Sequence, residues 1–449
     1  MNTRNPHAIV RLAAGLFFPQ RPLLKLGVNG YSPAILHKIV GTAAEVKSHQ
    51  LAAKVLQLVG EFSISGRHIN RLTEAIGTEL AEQRDRATED YVHHRRQPTT
   101  APAPALVSIS LDGGRLMTRA TGQGVGVHQQ QWKEDKVACL LTLQGATFAA
   151  DPHPEPPQCF LDAPTVDKLV RDIQAHHGPR QENELPQLAE LRLGKETIPA
   201  VTPTATPAAA GPKQPEWPPK RTPAARTCVA TLQGCAAFGK MVAAEAYRRN
   251  FPAAKRGALL GDGGAWIWGL HRKWFSWLTP VADFVHPLTY LYVTATVLAA
   301  SVPERWQLYV AWLTQCWQGR VHEVTAELEI RLEALGPYPG PGPPPATDPR
   351  EALQRTITYL RNNHERMSYT DYRRQGLPVT SSAVESLIKE FNYRVKGTEK
   401  FWDNPEGAEA ILQVRAAALS DDNRLATHIQ ARPGSAFRRP RKPATAQAR

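Results

Sequence analysis

The sequence has little cysteine. Its five cysteines, Cys139, Cys159, Cys228, Cys235 and Cys316, are odd in number and include no CxxC pair. That argues against a disulfide framework and a cysteine-based zinc module, and for a reducing compartment. Long apolar runs are missing as well: the best, Leu288 to Ala300, spans 13 residues, against the roughly 20 needed to cross a bilayer. The stretch Ile9 to Phe18 is interrupted by Arg11, runs into Pro19-Gln20-Arg21-Pro22 and lacks a small-residue cleavage site. No signal peptide and no membrane partner are therefore expected, and the chain reads as soluble and intracellular. Acid is in deficit too, with 41 Asp plus Glu against 54 Lys plus Arg. The resulting +13 predicts a polyanionic partner, in the first place nucleic acid.

Proline, by contrast, is abundant, and its placement divides the chain. Seven of the 38 prolines fall between Val201 and Arg226, and seven more between Gly336 and Pro349. Both clusters lack hydrophobic periodicity and remove backbone donors, which predicts linkers or surface excursions. A lighter break covers Gln97 to Pro104, and the tail from Ala431 carries six Lys or Arg and no acid, as a solubilising end or a DNA-tracking arm would.

The blocks between these breaks have different periods. Residues 30–95 read as all-helical: Leu51, Val55, Leu58 and Val59 lie at helical spacing, a turn follows at Gly60 to Ser63, and a second helix starts near Ser65. That helix sets Ile69, Leu72 and Ile76 on one face and leaves Arg67, His68 and Arg71 largely off it. This is the pattern of a helix-turn-helix, about 45–85, whose second helix offers basic side chains to DNA; a helical hairpin with a solvated basic face has the same pattern. Val107, Ile109 and Leu111 then alternate with Ser108 and Ser110, and Lys136 to Leu143 is a second β-rich run. A helix near Ala236–Asn250, a buried strand at Arg256–Asp262, a Trp-rich helix from Ala265 and a strand at Val281–Val285 complete an α/β layer with a mixed sheet. Beyond it, Trp306, Val310, Leu313 and Trp317 form one helical stripe and Val321, Val324, Leu328 and Leu335 another. Further helices are expected at Leu353–Leu360, Ser382–Val395 and Glu409–Leu419.

Three acids stand out by context. Asp112 ends the apolar run of LVSISLDGG, Asp262 ends that of GALLGDGG, and Glu385 opens a helix in PVTSSAVESLIKEF. Two-metal phosphoryl chemistry uses carboxylates on rigid strand ends and a helix, and hard oxygen donors select Mg²⁺ or Mn²⁺. Each acid also has a plainer explanation. Asp-Gly is a turn dipeptide, and Ser382-Ala-Val-Glu385 fits a capping box. Lys389 and Lys396 fall on the face of Glu385 with Arg394 to one side, either a cationic stripe beside a scissile phosphate or a solvated helix face.

The order and setting of these segments resemble one family, the DDE transposases of bacterial insertion sequences, particularly the Kra-element group. The likeness runs from about Gly41 to Leu419. It includes LDGGR at 111–115, WKEDKV at 132–137, AAEAYRRNFPAAKRGALLGDGGAWIW, DFVHPLTYLY at 283–292, and YRRQGLPVTSSAVESLIKEFNYRVKGTEKFW at 372–402. The chain departs from the family in TSSAVES, where many relatives carry a glycine-containing loop, and in the length of its first proline-rich stretch.

The resemblance implies an α/β fold with an RNase H-like catalytic core, a mixed sheet flanked by helices, carrying a mostly helical insertion and preceded by an N-terminal all-α helix-turn-helix domain. The expected map is 1–96 for the DNA-binding domain, 105–285 for the first part of the core with a proline-rich interruption at 198–226, 286–348 for the insertion, 349–425 for the rest of the core, and 431–449 for the basic tail. Asp112, Asp262 and Glu385 would be the catalytic triad holding two Mg²⁺ or Mn²⁺ ions. Asp283 and His286 match a DxxH pattern that supports such sites, although His286 before Pro287 also suits a core histidine. Implied partners are double-stranded DNA, as transposon ends and target, and a second copy of the chain in a homo-oligomer. The implied location is the bacterial cytoplasm, at the nucleoid. Two rivals stay open: a helix-turn-helix regulator derived from an inactive transposase, and an RNase H-like nuclease that never joins strands.

Overall fold

The computed structural model of the protein describes residues 10–12, 15–17, 31–96, 102–118, 131–176, 185–191, 218–380, 390–391, 393–395, 402 and 404–432. They fall into two compact units, one drawn from Met1–Arg86, Thr118–Gln130 and Glu390–Arg449, the other from Ala87–Met117 and Gln131–Lys389.

The first unit begins with a short antiparallel hairpin, β1 (Val10–Leu12) and β2 (Gly15–Phe17). Helices α1 (Pro33–Glu45), α2 (His49–Gly60) and α3 (Gly66–Val92) follow, α3 belonging to this unit up to Arg86. Serine starts each helix. Ser32, Ser48 and Ser65 accept from the amides of Ile35, Leu51 and His68, satisfying donors that a helix start leaves open. The unit is completed from the far end of the chain by α12 (Pro405–Ala418) and α13 (Arg424–Ala431). Val414, Ala417, Leu425 and Ile429 share one core with Leu36, Ile39, Ile69, Leu72 and Ile76. Helix α3 reaches α12 closely at Gly77, where a Cβ would stand 2.1 Å from the Ala410 carbonyl oxygen, so only glycine fits. The sequence groups residues 349–425 with the catalytic core, but from Glu390 onward the described chain packs with the N-terminal helices instead. Its apolar faces match theirs.

The second unit holds a five-stranded sheet: β3 (Leu106–Thr118), β4 (Gln131–Gln144), β5 (Lys220–Thr231), β6 (Arg256–Gly261) and β7 (Thr279–Ala282), in the order β5-β4-β3-β6-β7. The ladders β3–β6 and β6–β7 are parallel and β4–β5 is antiparallel, so the sheet is mixed. Strand β5 starts at Lys220, inside the stretch that the prolines mark as a linker. It is an edge strand, where Pro223 need not donate to a neighbour.

Alternation decides what each face of the sheet meets. Val107, Ile109 and Leu111 of β3, with Ala138, Leu140 and Leu259, pack against α5 (Cys235–Arg248) and α6 (Ala265–Trp274) through Phe238, Met241, Val242, Ile267 and Trp268. Each Val, Leu, Ile, Phe or Met among them contributes about 1.5–3 kcal/mol on burial. Ser108 and Ser110, buried as well, take the opposite face. Helix α4 (Ala163–His176), for which the sequence pattern raises no expectation, joins this unit. So do α7 (Val285–Leu298), α8 (Val302–Trp317), α9 (Val321–Leu335), α10 (Pro349–Asn363) and α11 (Tyr369–Arg374). The expected strand at Val281–Val285 is β7 ending at Ala282, with α7 already begun at Val285. No helix among the described residues is long and apolar enough to cross a membrane.

Candidate active site

Strand register brings three aspartates into one row. Ser110 of β3 pairs with Leu260 of β6, and Leu260 pairs with Val281 of β7. Asp112, Asp262 and Asp283 each follow that row by two residues along strands that run the same way. Neighbouring parallel strands lie about 4.8 Å apart, so two acids 150 positions apart in sequence become close neighbours, Asp112 midway along β3 and Asp262 just past the carboxyl end of β6.

Each carboxylate accepts a nearby backbone amide. Asp112 accepts from the Gly113 amide at 2.6 Å, Asp262 from Gly264 at 2.8 Å and Asp283 from Val285 at 3.2 Å. Asp112 and Asp262 are half-buried, whereas Asp283 is buried and its own amide donates to Gly261. The turn explanation thus holds for Asp262-Gly263, which bends the chain after β6, but not for Asp112-Gly113, which lies within β3 as that strand runs on to Thr118. His286 is half-buried, and its amide donates to the Asp283 carbonyl.

Helix α10 fixes the loop after β6. Tyr359 donates its hydroxyl to the Asp262 carbonyl at 3.1 Å, stacks on Tyr290 at 4.1 Å between centroids and lies against Gly263. Burial, followed by the neighbouring Tyr290, pushes the Tyr359 phenol well above its ordinary range, so it remains a neutral donor. Asn363 accepts from Trp268 Nε1 at 3.0 Å and donates to the Tyr359 carbonyl. Gly263 has φ of 105°, a conformation for glycine alone in this tight place. On the other side of β3, Trp266 packs against Gly113 and Gly264, and Lys136 pairs with Glu134 at 2.7 Å and sits 5.9 Å from the Trp266 ring. Sequence reasoning assigns no role to Tyr359, Trp266, Glu134 or Lys136. Only the i, i+2 spacing of Glu134 and Lys136 on one strand hints that they share a face.

Glu385, Lys389 and Lys396 lie outside the described residues. The chain leading to Glu385 is described as far as Thr380, and Val379 accepts from the Phe284 amide at 3.0 Å, beside Asp283. Hard carboxylate oxygens on Asp112 and Asp262 suit a divalent cation chemically. Among the described residues no group of three His, Cys, Asp or Glu side chains is arranged to hold one.

Of the expected DNA-binding residues, Arg67 and Arg71 are exposed at the start of α3, while His68 is half-buried against Tyr31 at 5.7 Å. Five residues, 61–65, separate α2 from α3. Arg394 does not face outward. It is 2% exposed and donates to the Ala43 carbonyl and to His49, while Arg415 donates to Ala44 and Glu45. Both guanidiniums neutralise the carboxyl end of α1, where unpaired carbonyls gather. Burial, then the like charge of Arg415, lowers the Arg394 pKa to about 10. Helical spacing from Glu385 carries no information about a partner 351 positions away, which is why it places Arg394 at the DNA when packing places it in a core.

Compared with protein-family models and with curated proteins, the chain matches none.

Proposed function

We propose that the protein is a DDE-type DNA transposase, cutting at transposon ends and joining the freed 3′-hydroxyls to target DNA. The observation that carries this reading is that Asp112 and Asp262 each lie two residues beyond the paired Ser110 and Leu260 of adjacent parallel strands. A mixed sheet flanked by helices is compatible with an RNase H-like core, and the basic composition suits a DNA partner.

In this reading Asp112, Asp262 and Glu385 hold Mg²⁺ or Mn²⁺, which when bound activates a nucleophilic oxygen and stabilises the leaving one. The protein's own work is positional. β3 and β6 set the two aspartates side by side, the Tyr359 hydroxyl anchors the Asp262 main chain, and the Gly113 and Gly264 amides orient the carboxylates. Phosphoryl transfer asks for little more than placement and charge. The exposed Arg67 and Arg71 on α3 would track end DNA.

Glu385→Gln tests the reading because glutamine serves a capping box as well as glutamate but lacks the charge a metal needs. Expected are an unchanged thermal midpoint and end-DNA affinity, with Mg²⁺-dependent strand transfer down by orders of magnitude. Normal product from the Gln variant would leave Glu385 as a cap and favour a DNA-binding regulator.

A further inference from the structure

Strands β4 and β5 set two cysteines directly opposite one another. In their antiparallel ladder Ala138 pairs with Val229, Cys139 with Cys228 and Leu140 with Thr227. Ala138 and Val229 enter the core shared with α5 and α6, so alternation turns both cysteines to the other face of the sheet. Neither is in a disulfide, and they are 0% and 2% exposed. Directly opposed residues of an antiparallel pair have Cα atoms about 4.5 or 5.5 Å apart, inside the roughly 4.4–6.8 Å that a disulfide spans. The next rung holds this register, because Arg249 donates to the Leu140 carbonyl at 2.8 Å and to Thr227 Oγ1 at 3.1 Å. Strand β5 lies at the edge of the sheet, paired on one side only. Its local opening uncovers the pair while the β3–β6–β7 ladder stays closed.

We propose that Cys139 and Cys228 form a reversible disulfide that staples the edge strand β5 to β4. The oxidant is a small peroxide. The Cys228 thiol attacks one peroxide oxygen and the O–O bond breaks, which leaves a sulfenic acid on Cys228 and releases water. The Cys139 thiol then displaces the sulfenic oxygen, so the S–S bond forms, a second water leaves, and two thiols are oxidised by the two electrons the peroxide takes up. A dithiol reductant reverses the bond by thiol–disulfide exchange, through a mixed disulfide. The Cβ atoms of opposed residues start about 4.5–5.5 Å apart, against roughly 3.5–4.5 Å in a relaxed disulfide. Closing that gap strains the bond and makes it easy to reduce, as a transient, redox-responsive disulfide in a reducing compartment must be. The stapled strand borders β4, which in turn borders the β3 that carries Asp112. The staple makes no use of the acids and is independent of the transposase reading.

Peptide mapping by mass spectrometry tests it on the full chain, treated with hydrogen peroxide under native conditions and then alkylated. The expected product is one intramolecular bond between the peptides that carry Cys139 and Cys228, removed by dithiothreitol. In Cys228→Ala, Cys139 should be recovered as an alkylated thiol. Hydrogen exchange at the amides of β5 should slow roughly tenfold or more on oxidation and recover on reduction. Cys159, which is exposed, gauges how far the oxidant has acted. Cys159 oxidised while Cys139 and Cys228 stay reduced, or a pair that links only in urea, would overturn the proposal. So would a bond from either cysteine to Cys235 or Cys316, or a linked pair that leaves exchange in β5 unchanged.

Discussion

Asp112 and Asp262 stand at the same level of neighbouring parallel strands, each two residues beyond the paired Ser110 and Leu260. The ladder fixes the level of the two strands through a register that is buried on both faces, and the Tyr359 hydroxyl holds the Asp262 main chain just beyond it. Each carboxylate already accepts a backbone amide.

Asp112→Asn and Asp262→Asn should therefore keep the fold, since asparagine accepts the same amide bonds. Stability should change by less than about 1 kcal/mol, while Mg²⁺-dependent cleavage falls by orders of magnitude. The double variant should be no worse than either single, because groups acting as one unit are not additive. Strand-transfer assays beside thermal melts decide it: full activity in either single variant defeats the shared-site reading.

Gly263→Ala should damage the loop that carries Asp262. A Cβ there would meet a Tyr359 ring carbon at 2.7 Å, and φ of 105° is strained for alanine. A cost of about 1–3 kcal/mol is expected, seen as a lower denaturation midpoint together with reduced cleavage. An unchanged midpoint would mean that α10 does not clamp the loop.

Acid should loosen the second unit through Asp151. Burial alone would raise this carboxyl, but hydrogen bonds from Arg373 and from the His153 amide outweigh it and hold the group below its ordinary value. A depressed carboxylate stabilises fully above its unfolded pKa, near about 3.9, and loses that contribution as pH falls through the lower folded value. Asp151→Asn should flatten this part of the stability curve. It should also cost about 3 kcal/mol at neutral pH, because it removes the negative charge opposite Arg373, whose side chain is 0% exposed. Urea midpoints across the acid range up to neutrality, for both proteins, supply the measurement.

The arginines should separate into two kinds. Arg67→Ala and Arg71→Ala should weaken binding to all DNA sequences, and each should reduce the salt slope by about 0.9 for every phosphate the side chain neutralises. Arg394→Ala should lower the melting temperature and leave the slope alone, because its bonds run to Ala43 and His49. An Arg394→Ala protein of normal stability with a reduced slope would reverse the assignment.

The local features of this protein are legible in its sequence. Alternation in Val107–Leu111, the apolar run before Asp262, the glycines after both aspartates and the helical stripes from Trp306 to Leu328 follow from backbone periods of two and 3.6, which neighbouring residues impose on one another. Asp262 is recognisable as a strand-end acid for the same reason, whereas the apolar run that stops at Asp112 does not mark the end of β3, which continues to Thr118. What needs tertiary structure is everything set by partners distant in the chain. Register across β3, β6 and β7 decides that Asp283 joins the row. The core around Ile76 and Val414 decides that the C-terminal helices complete the N-terminal unit. Carbonyls at the end of α1 decide that Arg394 is buried, and packing through Ala52 and Leu56 decides that Leu58 and Val59 face outward. Sequence spacing specifies which side chains share a face; only the competition among faces for the same buried volume specifies which face is covered, and by what.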